Sequence, residues 1–215
     1  GITAGLLNIR SPEMLNSEEV NSYDFNFFEE CVDVSTLPSP FNKPDIVIFH
    51  GIYEIEYIKI YKKLLKLNIP YVIVPRVSLT EGAQNQKALK KKLGNYFLFN
   101  KFIEKAAKIH YLTENEKKLS QSFKKDSFIA GNGVMLPKQT EKKISNDINI
   151  IFIGRYDLNH KGLDILIESL LSIKKELVKE GVNIRFFGSD FRGGRSYIEN
   201  QIKQNGMESI LAIND

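Results

Sequence analysis

IFIGRYDLNHKGLDILIES occupies residues 151–169. An apolar run closes at Gly154, a short polar loop follows, and Leu163, Leu166, Ile167, Leu170 and Leu171 then recur at the one-face spacing of a helix. The stretch therefore reads as strand, loop and amphipathic helix. Working outward, the strand begins at residue 148 and the helical pattern runs over 162–179. A further strand over 183–187 and a helix over 194–204 follow. Strands separated by helices predict a parallel sheet covered on both faces.

The same alternation runs upstream. Strands are expected over 2–8, 45–50 (DIVIFH), 71–75 (YVIVP), 108–112 and 127–130, the last ending in Gly131-Asn132-Gly133. A helix over 52–67 carries Ile55, Ile58, Leu64 and Leu65 on one stripe with lysines opposite. A long basic and aromatic helical region over 84–105 is expected to bend at Gly94 and Asn95. Thr113-x-x-Glu116 has the spacing of a capping box. Residues 17–28 are acidic and aromatic without a clear period, and Pro38, Pro40 and Pro44 mark a loop. Residues 138–147 (KQTEKKISND) are polar and aperiodic, as a linker is. The fold class expected is α/β, with two Rossmann-like, doubly wound parallel-sheet domains. Residues 1–137 form the first, and 148–215 supply only the opening elements of the second.

Composition narrows the function classes. The chain has 215 residues, 42% hydrophobic and 26% charged, which excludes a disordered chain, a collagen-like repeat and a disulfide scaffold. Cys31, the one cysteine, cannot form an internal disulfide, so an intracellular compartment is expected. No run approaches the roughly 18 apolar residues of a membrane span, and no basic-then-apolar leader opens the sequence. Three scattered histidines and one cysteine are too few for a zinc site, and no metal is expected. The net charge of +4 hides a partition. Residues 1–58 carry 2 basic and 10 acidic side chains, whereas residues 59–125 carry 16 basic and 4 acidic. So positive a middle third points to an anionic partner, whether phosphate, nucleic acid or lipid headgroup.

Arg155 leaves the carboxyl end of a strand, and Lys161 follows six residues later beside Gly162. In wound α/β sheets ligands bind beyond the carboxyl ends of strands, where helix N-termini offer N–H groups to anions. Two cations there would clamp a phosphate or diphosphate, the arginine as a bidentate fork and the lysine as a point charge. The alternative is two surface cations on a tight loop. Residues from Lys87 to Lys108 (KALKKKLGNYFLFNKFIEKAAK) hold seven lysines and one acid among aromatics. Such a helix suits an anionic membrane surface. Alternatively, the aromatics pack on the sheet and the lysines are solvated. No nucleic-acid motif accompanies the basic residues, so nucleic acid is not an expected partner. His50 at a strand end and His110 within a strand read as packed residues, and His160 beside Lys161 is assigned no role.

Residues 152–168 (FIGRYDLNHKGLDILIE) resemble the diphosphate-binding signature of family-4, retaining, nucleotide-sugar-dependent glycosyltransferases of GT-B fold. The likeness extends in order along the chain. Residues 44–51 (PDIVIFHG) resemble that family's second conspicuous N-domain strand. Residues 75–80 (PRVSLT) are similar to a Pro-His/Arg-Gly-Ser/Met-Leu loop of its capsule and O-antigen branch. Residues 106–114 (AAKIHYLTE), 131–134 (GNGV) and 187–195 (FGSDFRGGR) resemble three further segments of the family.

The resemblance implies a transferase that moves a sugar from a nucleoside-diphosphate-sugar donor to a surface-polysaccharide or lipid-linked glycan acceptor. The donor would be a substrate; no cofactor and no metal are implied. Arg155 and Lys161 would neutralise the departing diphosphate. Gly154, with Gly162, would let backbone approach it. Arg76 stands where the family has His or Arg facing the donor sugar. Arginine cannot act as a base at neutral pH, so charge stabilisation or sugar contact is its expected role. His50 and Gly51 would line the substrate side. The implied location is cytoplasmic, at the inner face of a membrane.

Departures are Val77 in place of the loop's glycine and Gly131 in place of proline. The family's paired glutamates, eight apart, would fall beyond residue 215. The expectation is therefore a truncated glycosyltransferase with a reduced acceptor loop after Ser11. A rival is a catalytically silent chain binding a partner or membrane through its basic helix. A GT-B epimerase would require acidic and histidine residues at cleft positions where the sequence has none.

Overall fold

The computed structural model describes residues 2–9, 26–29, 33–86, 88–120, 123–134 and 148–214. The chain divides into two compact units, Gly1–Leu136 and Pro137–Asp215. The polar stretch 138–147, Cys31, the loop after Ser11 and most of the ambiguous acidic stretch lie outside the described residues.

In the first unit, β1 (Gly5–Asn8) and β2 (Asn26–Glu29) form a parallel pair. Strands β3 (Val47–His50), β4 (Tyr71–Val74), β5 (Lys108–Tyr111) and β6 (Ser127–Ile129) form a four-stranded parallel sheet in sequence order. Its register sets His50 opposite Val74 and Tyr111 opposite Ile129. The carboxyl ends therefore share one edge, where the segments that follow all emerge. Helix α1 (Ile55–Lys66) crosses from β3 to β4 and buries Ile58, Ile60, Tyr61 and Leu64. The expected stripe is thus rotated, because Ile55 and Leu65 are exposed. An aromatic cluster fills the space beneath: Tyr71 stacks on Phe102 at 5.5 Å, and Phe49 meets both edge-on. The Tyr71 hydroxyl donates to the Phe102 carbonyl at 2.7 Å, so its burial leaves no orphaned polar group.

The long basic helix is not continuous. It consists of α2 (Glu81–Asn85), α3 (Ala88–Gly94), a π-helical turn over Asn95–Phe99 and α4 (Asn100–Lys105). The expected bend at Gly94 falls where the π turn starts. A π turn carries extra residues per turn and so re-aims the side chains that follow. From its last residue onward Phe99, Phe102 and Ile103 enter the core, while Leu89, Leu93, Tyr96 and Phe97 stay exposed. Helix α5 (Glu114–Leu119) follows β5, its first turn capped by the Thr113 hydroxyl accepting from the Glu116 N–H.

In the second unit, β7 (Ile148–Ile153), β8 (Val182–Phe187) and β9 (Leu211–Asn214) form a parallel sheet in that order. A short helix α6 (Leu158–Lys161) precedes left-handed Gly162 (φ 61°), where a loop is expected. The pattern expected as one helix over 162–179 is two, α7 (Leu163–Ser172) and α8 (Lys174–Lys179), broken at Ile173. Helix α9 (Gly194–Gln204) leads to β9, a strand that carries no signal in the sequence reading. Leu163, Ile167 and Leu170 of α7 pack with Val182, Ile184 and Phe186 of β8 and Ile198 and Ile202 of α9. Each such side chain contributes about 1.5–3 kcal/mol when fully buried. Cover on both faces does not extend to β7, where Ile148, Ile150, Ile151 and Ile153 are exposed. Among the described residues no helix is long and apolar enough to cross a membrane.

Candidate functional site

The carboxyl ends of β7 and β8 are joined through their loops. Gly154 N–H donates to the Phe187 carbonyl and Tyr156 N–H to the Ser189 carbonyl, each at 2.9 Å. A β-carbon on Gly188 would overlap the Gly154 carbonyl oxygen, and one on Gly194 would overlap that of Tyr156. Only glycine permits this approach. Tyr156 is fully buried beneath the loops, and its hydroxyl reaches the carbonyls of Phe186 (3.2 Å) and Asn214 (2.9 Å). One side chain thereby ties the ends of β8 and β9 to the loop after β7.

On this platform stand the two sequence-predicted cations. The Arg155 guanidinium lies over the Phe191 ring, Cζ 4.6 Å from its centroid, and Arg192 approaches the same ring at 5.1 Å. Cation and ring quadrupole attract, which orients an otherwise half-exposed side chain. The Lys161 side chain lies over Gly154: a β-carbon on that glycine would sit 3.8 Å from Lys161 Cε. Gly162 follows in its left-handed conformation and opens α7. The buried Asp157 carboxylate accepts from the His160 N–H and faces its Nδ1, each at 3.0 Å, with Arg155 Nη2 at 3.8 Å. The backbone hydrogen bond from His160 is the main cause holding the Asp157 carboxyl below its ordinary range, and the His160 side chain and Arg155 add to it. Asp190 likewise accepts from the N–H groups of Arg195 (2.7 Å) and Gly193 (3.1 Å), which hold its carboxyl low and fix the start of α9. Arg155 and Lys161 thus belong to one loop system over bare backbone, an arrangement that fits a phosphate or diphosphate.

A second cluster lies at the matching edge of the first unit. After β4, Arg76 and Val77 are both left-handed (φ 52° and 60°). Arg76 Nη1 donates to Asn132 Oδ1 at 2.9 Å, and Nη2 stands 3.2 Å from His50 Nδ1. Arginine only donates, so His50 accepts through Nδ1 and carries its proton on Nε2. Burial first, then the Arg76 charge, pushes the His50 pKa below its ordinary value. Gly51, at φ 94°, turns the chain away after β3 and donates to the Val74 carbonyl at 2.8 Å. The edge offers one arginine, one neutral imidazole and one amide for hydroxyl-rich ligands. His110 bonds the Ala130 carbonyl at 2.7 Å and stacks on Phe128.

Every sequence-predicted site residue lies at one of these two edges: Arg155, Lys161, Gly154 and Gly162 in the second unit, Arg76, His50 and Gly51 in the first. Phe191, Asp157, Asn132 and Glu116 were assigned no part in a site. Asn132 and Phe191 sit inside quoted motifs, but what they touch depends on tertiary contact. Among the described residues no group of three or more His, Cys, Asp or Glu side chains could hold a metal ion.

No protein-family model matches the chain, and no curated protein sequence matches it either. Its structure is similar to that of E. coli trehalose-6-phosphate synthase bound with UDP-2-fluoro glucose, with a TM-score of 0.57 and 14% sequence identity. The similarity covers 80% of this chain and 48% of that one, so the chain spans about half the length of the structure it matches. At that identity the likeness is one of fold: parallel α/β units on the Rossmann-like plan of a GT-B glycosyltransferase.

Proposed function

We propose that the chain binds a nucleoside-diphosphate sugar and serves glycosyl transfer, with Arg155 and Lys161 receiving the diphosphate. One observation carries this reading. Two cations are seated over exposed backbone at the carboxyl ends of β7 and β8, one on an aromatic ring and one across Gly154. The fold is shared with a protein bound to a UDP-sugar analogue. In transfer the acceptor's hydroxyl oxygen bonds to the anomeric carbon as that carbon's bond to the diphosphate oxygen breaks. The hydroxyl proton passes to the diphosphate or to water, and the electron pair of the broken bond stays on the diphosphate oxygen. Fixed cations beside that oxygen stabilise the charge as it develops, and they do so without a metal. Gly154 and Gly162 leave room for the phosphates. Arg76, with His50 and Gly51, contacts sugar or acceptor hydroxyls; Arg76 cannot serve as a base.

The acceptor we propose is a surface or lipid-linked glycan, met at a cytoplasmic membrane face by a retaining enzyme of the family-4 kind. Support comes from α3 and its π turn, where Leu89 (75% exposed), Tyr96 (74%) and Phe97 (68%) form a ridge with Leu93. Lys90 and Lys92 flank it. A catalytically silent chain would keep the same ridge and the same donor site but release no nucleoside diphosphate from a donor sugar. Calorimetry with UDP and GDP should detect binding, and Lys161→Ala should weaken it by about 1.5–3 kcal/mol, the scale of a hydrogen bond to a charged group. Equal affinity in the variant would remove Lys161 from the site.

A further inference from the structure

Arg76 and Val77 pose a problem of their own. Left-handed backbone is strained for any residue other than glycine, and it is least tolerated by a β-branched side chain. Two such residues in succession (φ 52° and 60°) need an external hold. Glu116 supplies one. Its Oε1 accepts from the Val77 N–H at 2.6 Å and its Oε2 from the Leu112 N–H at 2.8 Å. The residue is 4% exposed, so neither bond competes with bulk water. Both are charge-assisted, the stronger class of hydrogen bond.

In a capping box the glutamate would fold back on the N–H of the capping residue. Here Thr113 caps as that pattern requires, with Glu116 N–H donating to its Oγ1 at 3.0 Å. The carboxylate instead reaches out of its own helix, to the end of β5 and across to the loop after β4. It therefore joins two of the strand ends that frame the first unit's edge. Arg76, one residue before the clamped N–H, is left aimed at Asn132 and His50.

We propose that Glu116 is a positioning residue, clamping the left-handed Arg76-Val77 turn so that the guanidinium stays beside His50. As part of transfer this rests on the proposed reading of that edge as one that contacts sugar or acceptor hydroxyls. The clamp itself is tested without any turnover. His50 is the reporter, with Arg76, His110 and the Tyr57 hydroxyl on its carbonyl as the charged and titratable groups around it. In the full chain its imidazole titration is followed by NMR in wild type, Glu116→Gln, Glu116→Asp and, as the benchmark for loss of the guanidinium, Arg76→Ala.

Glutamine keeps one acceptor but turns an amide donor toward the other N–H. Its His50 midpoint should rise toward that of Arg76→Ala, with Glu116→Asp falling between it and wild type. A wild-type midpoint in folded Glu116→Gln overturns the proposal. Should that variant not fold, Glu116→Gln combined with Val77→Gly removes the strain the carboxylate holds. Recovery of folding with a raised His50 midpoint supports the clamp, and failure to recover overturns it. UDP calorimetry on the same samples separates the two readings. Absent UDP binding in wild type sinks the donor assignment and leaves the clamp to be judged by His50.

Discussion

Arg155 rests on the Phe191 ring, whereas Arg76 is pinned between His50 and Asn132 by hydrogen bonds. Stacking fixes the guanidinium's plane while only Nη2 faces a carboxylate, Asp157 at 3.8 Å, a seat that would suit the phosphate contact proposed for Arg155. Hydrogen bonds from Arg76 occupy some of its donors and leave a charge with a fixed direction. Phe191→Ala should therefore weaken UDP binding by about 0.5–1 kcal/mol, the value of an exposed cation–π contact. Phe191→Tyr should keep it. Calorimetry on the two variants is the check, and equal loss in both would count against the cation–π contact, because tyrosine keeps the ring face. The histidines divide in the same concrete way. His50 meets the arginine, His110 is a strand residue bonded to backbone, and His160 is held by Asp157.

At the scale of elements, the loops after β7 and β8 meet backbone to backbone through Gly188 and Gly194. Gly194→Ala would drive a methyl into the Tyr156 carbonyl and force the start of α9 away. A destabilisation of the order of 1–3 kcal/mol is expected from such overpacking. Denaturant titration would report it, and an unchanged midpoint would mean that the loops do not meet as described. Strand β7 and helix α9 were legible to the residue, because an isoleucine-rich run and a glycine-led amphipathic pattern each have one interpretation. The helix over 162–179 was legible in its buried face but not in its break, because Ile173 has no turn chemistry to announce one. The stripe of α1 was misplaced because Ile60 and Tyr61 answer to the aromatic cluster around Tyr71 and Phe102, and that cluster is assembled from distant segments. Strand β9 is short and follows a turn with little pattern, so its pairing with β8 decides it. For the site, the cations could be read from charge and spacing. Their supports could not, because Phe191 and Glu116 act on residues 36 and 39 positions away.

For the whole molecule, the charge partition along the sequence acquires a location. The basic middle third includes α3 and the π turn, whose outward side carries Leu89, Leu93, Tyr96 and Phe97 while Phe99 and Phe102 face inward. Packing on the sheet thus accounts for Phe99, Phe102 and Ile103, and the membrane contact proposed for residues 87–108 would rest on the exposed half alone. Sedimentation with phosphatidylglycerol vesicles should pull the chain down at low salt and release it as salt rises past the Debye screening range of about 0.15 M. Phosphatidylcholine vesicles should not bind it, and Leu93→Ser with Phe97→Ser should abolish binding to the anionic ones. Binding indifferent to lipid charge, or a dimer lost in the same double variant, would assign the ridge to another partner.

The meeting of the two glycine-bearing loops has a consequence for divergence. Their fit is made by main-chain atoms, so the platform is indifferent to most side chains around it. Sequences could drift far at nearly every neighbouring position and still build the same floor, provided the two glycines keep their intervals from the tyrosine beneath. Kinship among such chains would be recorded in those intervals long after percentage identity had ceased to show it.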